Sequence, residues 1–101
     1  MIYSFKGPFQ YTRSILEGWN NNQIGVYYIG VESSSGSLRP YYIGKGTGQG
    51  GMRRRLMDHL GEWRDVTHFG YQVTDTIREA ENHEVDKITQ HKPKYNDHHN
   101  N

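Results

Sequence analysis

At 101 residues the chain has room for one small domain, close to the lower limit for folding on a single apolar core. Hydrophobic residues are only 33% of it, so that core is economical, and the absence of cysteine excludes disulfides, zinc-thiolate sites and thiol nucleophiles together. The net charge of +1 announces no polyanionic partner, but the charges are segregated: no acidic residue lies between Glu32 and Asp58, where Arg39, Lys45, Arg53, Arg54 and Arg55 occur, whereas Asp75 to Asp86 holds five carboxylates and one arginine.

Residues 1–23 read as an N-terminal lead-in, extended from Met1 to Gly7, with a short helix between Pro8 and Gly18 anchored by Ile15 and Leu16 and a turn-rich linker from Trp19 to Asn22. The main domain spans 24–96. Ile24 to Val31 is β-branched and aromatic throughout, a strand apolar enough to be covered on both faces. Glu32 to Pro40 is a Ser/Gly loop and Tyr41 to Gly44 a returning strand, together an antiparallel hairpin. A helix follows from about Gly51 to Gly61, with Met52, Leu56, Met57 and Leu60 on one arc and Arg55 beside His59 at its edge. Val66 to Val73 alternates like a third strand. Asp75 or Thr76 then caps a helix that runs to about His91 and stops before Pro93. Residues 97–101, with the pair His98-His99, are a polar tail. No apolar run approaches the ~20 residues of a membrane span, and Met1 to Ser4 does not open a signal peptide. The expectation is a cytoplasmic protein with no membrane partner.

Strand, glycine loop and basic helix from Tyr41 to Leu60 are the arrangement that brings backbone N–H groups and cations up to a phosphate. The loop Gly46 to Gly51 also spells GxGxxG, with Asp65 downstream, a dinucleotide fingerprint. The chain is too short for a doubly wound sheet and its flanking strands read as antiparallel, so a dinucleotide-binding protein is the lesser alternative. On the last helix Ile77, Ala80, Val85 and Ile88 define the expected buried side, and both Glu81 and Glu84 fall within that arc. A carboxylate on an apolar face is costly unless paired, protonated or bound to a metal; the plain alternative is a structural pair with an arginine.

Taken together, Gly25-Val26-Tyr27, Tyr42-Ile43-Gly44-Lys45, Arg55 with His59 four residues later, Glu84 and Tyr95-Asn96 resemble the GIY-YIG nuclease family, in its order, over about three quarters of the chain. The run His91 to Asn96 resembles the one that closes this domain in the bacterial excision-repair nuclease. Valine replaces the isoleucine of the first motif, and the spacing from Tyr27 to Tyr42 is longer than is common in the family. Helix geometry admits Glu81 or Glu84 as the buried carboxylate; the family pattern selects Glu84. It favours Arg55 because of His59, with Arg54 the alternative register.

The resemblance implies a small α/β (α+β) domain, with a central three-stranded antiparallel sheet flanked by helices, that hydrolyses phosphodiester bonds in DNA with one divalent ion, Mg²⁺ or Mn²⁺. Its implied catalytic set is Tyr27, Tyr42, Arg55, His59 and Glu84. Tyr27 would be general base or water-positioner, its phenol pKa lowered by nearby cations, with Tyr42 beside it. Lys45 would assist, Arg55 would bind non-bridging oxygens, and His59 would bond to phosphate or orient a tyrosine. Glu84 would hold the metal, Asn96 would support the site, and Lys45, Arg53, Arg54 and Arg55 would contact nucleic acid. The competing class is a non-catalytic nucleic-acid-binding module of the same fold. No recognition domain is visible in the sequence, which leaves a homodimer or a separate specificity partner as routes to target choice.

Overall fold

The computed structural model describes residues 1–19 and 22–96, so the polar tail with His98-His99 and the centre of the Trp19 to Asn22 linker lie outside the described residues. The elements in order are β1 (Lys6–Gln10), α1 (Arg13–Gly18), β2 (Gly25–Glu32), β3 (Leu38–Gly46), α2 (Gly51–Asp58), β4 (His68–Val73) and α3 (Ile77–His91). All strand pairs are antiparallel, in the order β1-β4-β2-β3. The sheet therefore has four strands and not the expected three, because part of the lead-in pairs with β4. β1 escaped detection for a physical reason: four of its five residues are exposed and Pro8 sits within it, as befits an edge strand. Rings hold it down, with Phe5 edge-on to Tyr28 at 5.5 Å and Phe9 against Phe69 at 5.5 Å. The short helix begins later than expected, at Arg13, where the Thr12 hydroxyl accepts from the Ile15 N–H at 3.2 Å.

β2 is buried along its first six residues, as expected of a strand covered on both faces. The hairpin connection is shorter than the sequence suggested. β3 starts at Leu38 and runs on to Gly46, leaving a turn closed by the Ser33 N–H on the Ser37 carbonyl at 2.8 Å. Alternation along β2 divides the interior into two layers. Tyr27 and Ile29 join Tyr11, Leu16, Met52, Leu56 and Phe69 beneath α1 and α2. Val26 and Tyr28 join Ile43 and Ala80 beneath α3.

α3 begins where the sequence placed it. Thr76 accepts from the Glu79 N–H and Glu79 reaches back to the Thr76 N–H, both at 3.1 Å, a capping box. Its buried side differs from expectation: Ile77 is 49% and Val85 59% exposed, while Ala80 is fully buried. The helix touches the sheet along the narrow ridge of Ala80, Glu84 and Ile88, spaced four apart, so the two larger aliphatics flank the contact and face water. α2 ends at Asp58, three residues short of the expected Gly61.

Candidate active site

Tyr27 and Gly44 are cross-strand partners on β2 and β3, and the Tyr27 ring lies across the glycine where a side chain would otherwise stand. The Tyr27 hydroxyl reaches His59 Nε2 at 3.0 Å, and the other ring nitrogen, Nδ1, lies 2.8 Å from Glu62 Oε1. His59 occupies the C-cap of α2, its N–H donating to the Arg55 carbonyl, so one turn of helix sets both side chains over the same tyrosine. Tyr42 and Trp63 flank the imidazole with centroids at 4.9 Å and 5.1 Å.

Burial raises the Tyr27 phenol pKa; the neighbouring Tyr42 adds to the rise, and Arg55 opposes it without overcoming it. This reverses the expectation of a phenol lowered by cations: its desolvation outweighs the one guanidinium within reach. Tyr42 is raised as well, first by burial and then by the charge of Glu84. Attraction to Tyr27, and a hydrogen bond to it, raise the Arg55 guanidinium further.

The three arginines have separate surroundings. Arg53 Nε donates to the Leu16 carbonyl at 2.8 Å and ties α2 to α1. Arg54 stands in solvent, 66% exposed, with Asp58 at 3.9 Å. Arg55 faces a cleft of about 350 Å³ whose other walls are Tyr27, Tyr42, Lys45, Thr47, Gly48 and Glu84.

Glu84 and Lys45 come to this cleft from the other face of the sheet. Lys45 pairs in register with Val26, on the α3 side, and its Nζ lies 3.9 Å from Glu84 and 3.8 Å from Glu81. Side-chain exposure separates the two carboxylates, at 19% for Glu84 and 52% for Glu81. Burial raises the Glu84 pKa and Glu81 adds to the rise, while Lys45 and Arg55 oppose it. The cleft thus sits at the β3 edge, where Arg55 of α2 reaches it from one face and Glu84 of α3 from the other.

Glu84 is a half-buried carboxylate, raised in pKa by desolvation and open to a cleft, a donor that a cation would satisfy. Mg²⁺ is commonly held by one or two carboxylates with water and substrate oxygens, so the donor set fits a single such ion. Among the described residues no three of His, Cys, Asp or Glu converge as a protein cage.

Asn96 lies outside the cleft. It is 3% exposed, its Oδ1 accepts from the Ile43 N–H at 2.9 Å, and its Nδ2 donates to the Ile43 carbonyl at 3.0 Å. The Gly46 to Gly51 loop joins an antiparallel hairpin to α2 and not a parallel strand to a helix, and the Met52 N–H at the start of α2 is already bonded to the Gln23 carbonyl. That geometry lacks the frame of a dinucleotide fingerprint. Sequence reasoning missed Thr47, which lines the cleft from within the glycine loop, and Glu62, whose spacing of three residues from His59 was the available signal. Comparison with protein-family models, with curated proteins and with solved structures returned no match.

Proposed function

We propose that the chain is a metal-dependent endonuclease that hydrolyses phosphodiester bonds in DNA, of the GIY-YIG kind that its motifs resemble. One observation carries the reading: Tyr27, Tyr42, Lys45, Arg55 and Glu84, spread over 58 positions, line a single cleft with Arg55 on one wall and the Lys45–Glu84 pair on the other. Hydrolysis of a phosphodiester needs an oriented water, charge compensation on the phosphoryl oxygens and relief of charge on the leaving oxygen.

Each residue has a place in that scheme. The Tyr27 hydroxyl orients the attacking water and takes its proton only as its own proton leaves, since burial opposes a standing phenolate. Tyr42 shares the same oxygen environment. Arg55 and Lys45 compensate the phosphoryl charge from opposite faces of the sheet. Glu84 would hold the divalent ion, which when bound supplies Lewis-acid stabilisation of the phosphoryl and leaving oxygens. Arg54, exposed beside the cleft, is available to the DNA backbone, whereas Arg53 already gives its Nε–H to Leu16. Among the described residues no helix is long and apolar enough to cross a membrane; a cytoplasmic location goes with the proposed substrate.

The test is nicking of supercoiled plasmid with Mg²⁺, with Mn²⁺ and with chelator. Cleavage that requires the ion supports the reading. Binding without cleavage under every metal condition would leave only the nucleic-acid-binding module.

A further inference from the structure

We propose that Glu62 is a positioning residue that holds His59 in the tautomer with a bare Nε2, making His59 the acceptor of the Tyr27 proton; the inference rests on the reading of the cleft as a nuclease site. The ring plane of His59 is set by Tyr42 at 4.9 Å and by Trp63, nearly parallel at 5.1 Å and 23°. Stacking is blind to which nitrogen carries hydrogen. The hydrogen bonds are not.

A carboxylate can only accept, so the 2.8 Å contact between Glu62 Oε1 and His59 Nδ1 requires the hydrogen on Nδ1. In a neutral imidazole Nε2 is then a lone pair, and the Tyr27 hydroxyl 3.0 Å away must donate to it. With the opposite tautomer, the Nδ1 lone pair would face the carboxylate and Nε2–H would hold the Tyr27 oxygen as an acceptor, unable to pass its proton on. The titratable and charged groups around this pair are Glu62, Tyr42 from β3, Arg55 from α2 and, beyond Tyr27, Glu84 from α3. Glu62 is the group that meets Nδ1, at 2.8 Å. Base and orienter stand in the relation that recurs in activated hydroxyl sites.

The proton inventory closes. The Tyr27 hydroxyl proton moves to His59 Nε2 while the phenol oxygen takes a proton from water, so no free phenolate accumulates. The water oxygen forms the new bond to phosphorus, and the bond to the leaving oxygen breaks with its electron pair going to that oxygen. The proton held on His59 returns through solvent to the leaving oxygen.

Glu62 is 51% exposed on the turn after α2, so its replacement does not disturb the core. Nitrogen-15 NMR of the His59 ring in the full chain, without metal or DNA, reads the tautomer directly. The expected wild-type state carries hydrogen on Nδ1. Glu62→Ala should populate the Nε2–H form that prevails for imidazole in water, and Glu62→Gln should keep the native tautomer, because its carboxamide oxygen accepts the same bond. Single-turnover cleavage should fall about 10²-fold in Glu62→Ala with DNA affinity unchanged, and recover most of that loss in Glu62→Gln. The proposal is overturned if wild-type His59 carries hydrogen on Nε2 or on both nitrogens. It is equally overturned if Glu62→Ala leaves the tautomer unchanged, or shifts it without slowing cleavage. Should the wild type cut no DNA, the nuclease reading fails, while the ring spectra still decide whether Glu62 sets the tautomer.

Discussion

A β-carbon added at Gly44 would lie 2.4 Å from the hydroxyl oxygen of Tyr27 and 2.5 Å from the ring carbon that bears it. The glycine is therefore the seat of the tyrosine, and its lack of a side chain decides where the hydroxyl points. Gly44→Ala should push the Tyr27 oxygen away from His59 and abolish cleavage, with stability lowered by about 1–3 kcal/mol for overpacking a buried site. Denaturant unfolding combined with a nicking assay measures both. Wild-type cleavage by Gly44→Ala would show that the position of this hydroxyl is immaterial.

Tyr27→Phe keeps the ring and removes the oxygen. Single-turnover cleavage should drop by roughly 10²–10⁴-fold at unchanged DNA affinity. Because burial raises the phenol pKa, the wild type should show no gain in rate that tracks phenol ionisation in the alkaline range. Tyrosinate absorbance provides a second check, since the difference titration between wild type and Tyr27→Phe should stay flat until the protein unfolds.

Glu84 should reveal itself in stability before any substrate is added. Its folded-state pKa lies above the ordinary value of 4.5, so the folded protein binds this proton more tightly than the unfolded chain. Its contribution favours folding at low pH and declines as pH rises from 4.5 through the raised folded value. Glu84→Gln, which removes the buried charge, should raise the melting temperature at pH 7 while eliminating cleavage. Mg²⁺ should stabilise the wild type and leave this variant unmoved. The more exposed Glu81→Gln should alter none of these; loss of cleavage in Glu81→Gln alone would reassign the acidic wall.

Three adjacent arginines should give three different phenotypes. Arg55→Ala should impair turnover, because its guanidinium borders the cleft and touches Tyr27. Arg54→Ala should weaken DNA binding and lower its dependence on salt, with the catalytic step intact. Arg53→Ala should cost about 1 kcal/mol of stability by removing the tie between α2 and the Leu16 carbonyl, which keeps only its bond from the Trp19 N–H, with normal cleavage per folded molecule. Single-turnover rates, salt titrations and urea midpoints separate the three; identical losses would reduce them to one basic patch.

Asn96→Ala should destabilise the fold by about 2 kcal/mol or more, since it leaves the buried N–H and C=O of Ile43 without partners. Hydrogen exchange at the Ile43 amide should accelerate far more than at Tyr28, its neighbour across the ladder.

What was legible in the sequence follows from how densely each element is constrained. β2 was clear because burial on both faces demands an unbroken apolar run, and α3 because the capping box and the proline bracket it. β1 was hidden by its exposure, which leaves no period to read. Glu81 and Glu84 could not be told apart by an apolar arc, because the ridge that meets the sheet passes through Ala80 and Ile88 and not through Ile77 or Val85. The direction of the Tyr27 shift depends on the depth of burial against a single guanidinium, a three-dimensional balance that residue types do not reveal.

Both edges of the sheet carry a proline, Pro8 in β1 and Pro40 in β3. An open edge is a row of donors and acceptors on which a strand of another molecule can form. Each proline deletes one donor, and each edge also breaks register, between Lys6 and Phe9 on one side and opposite the Ile29 to Gly30 step on the other. Asn96 then occupies the Ile43 groups as an adjoining strand would. Both edges are thereby poorer templates for a strand of another copy, which lowers the tendency of crowded chains to grow into fibrils.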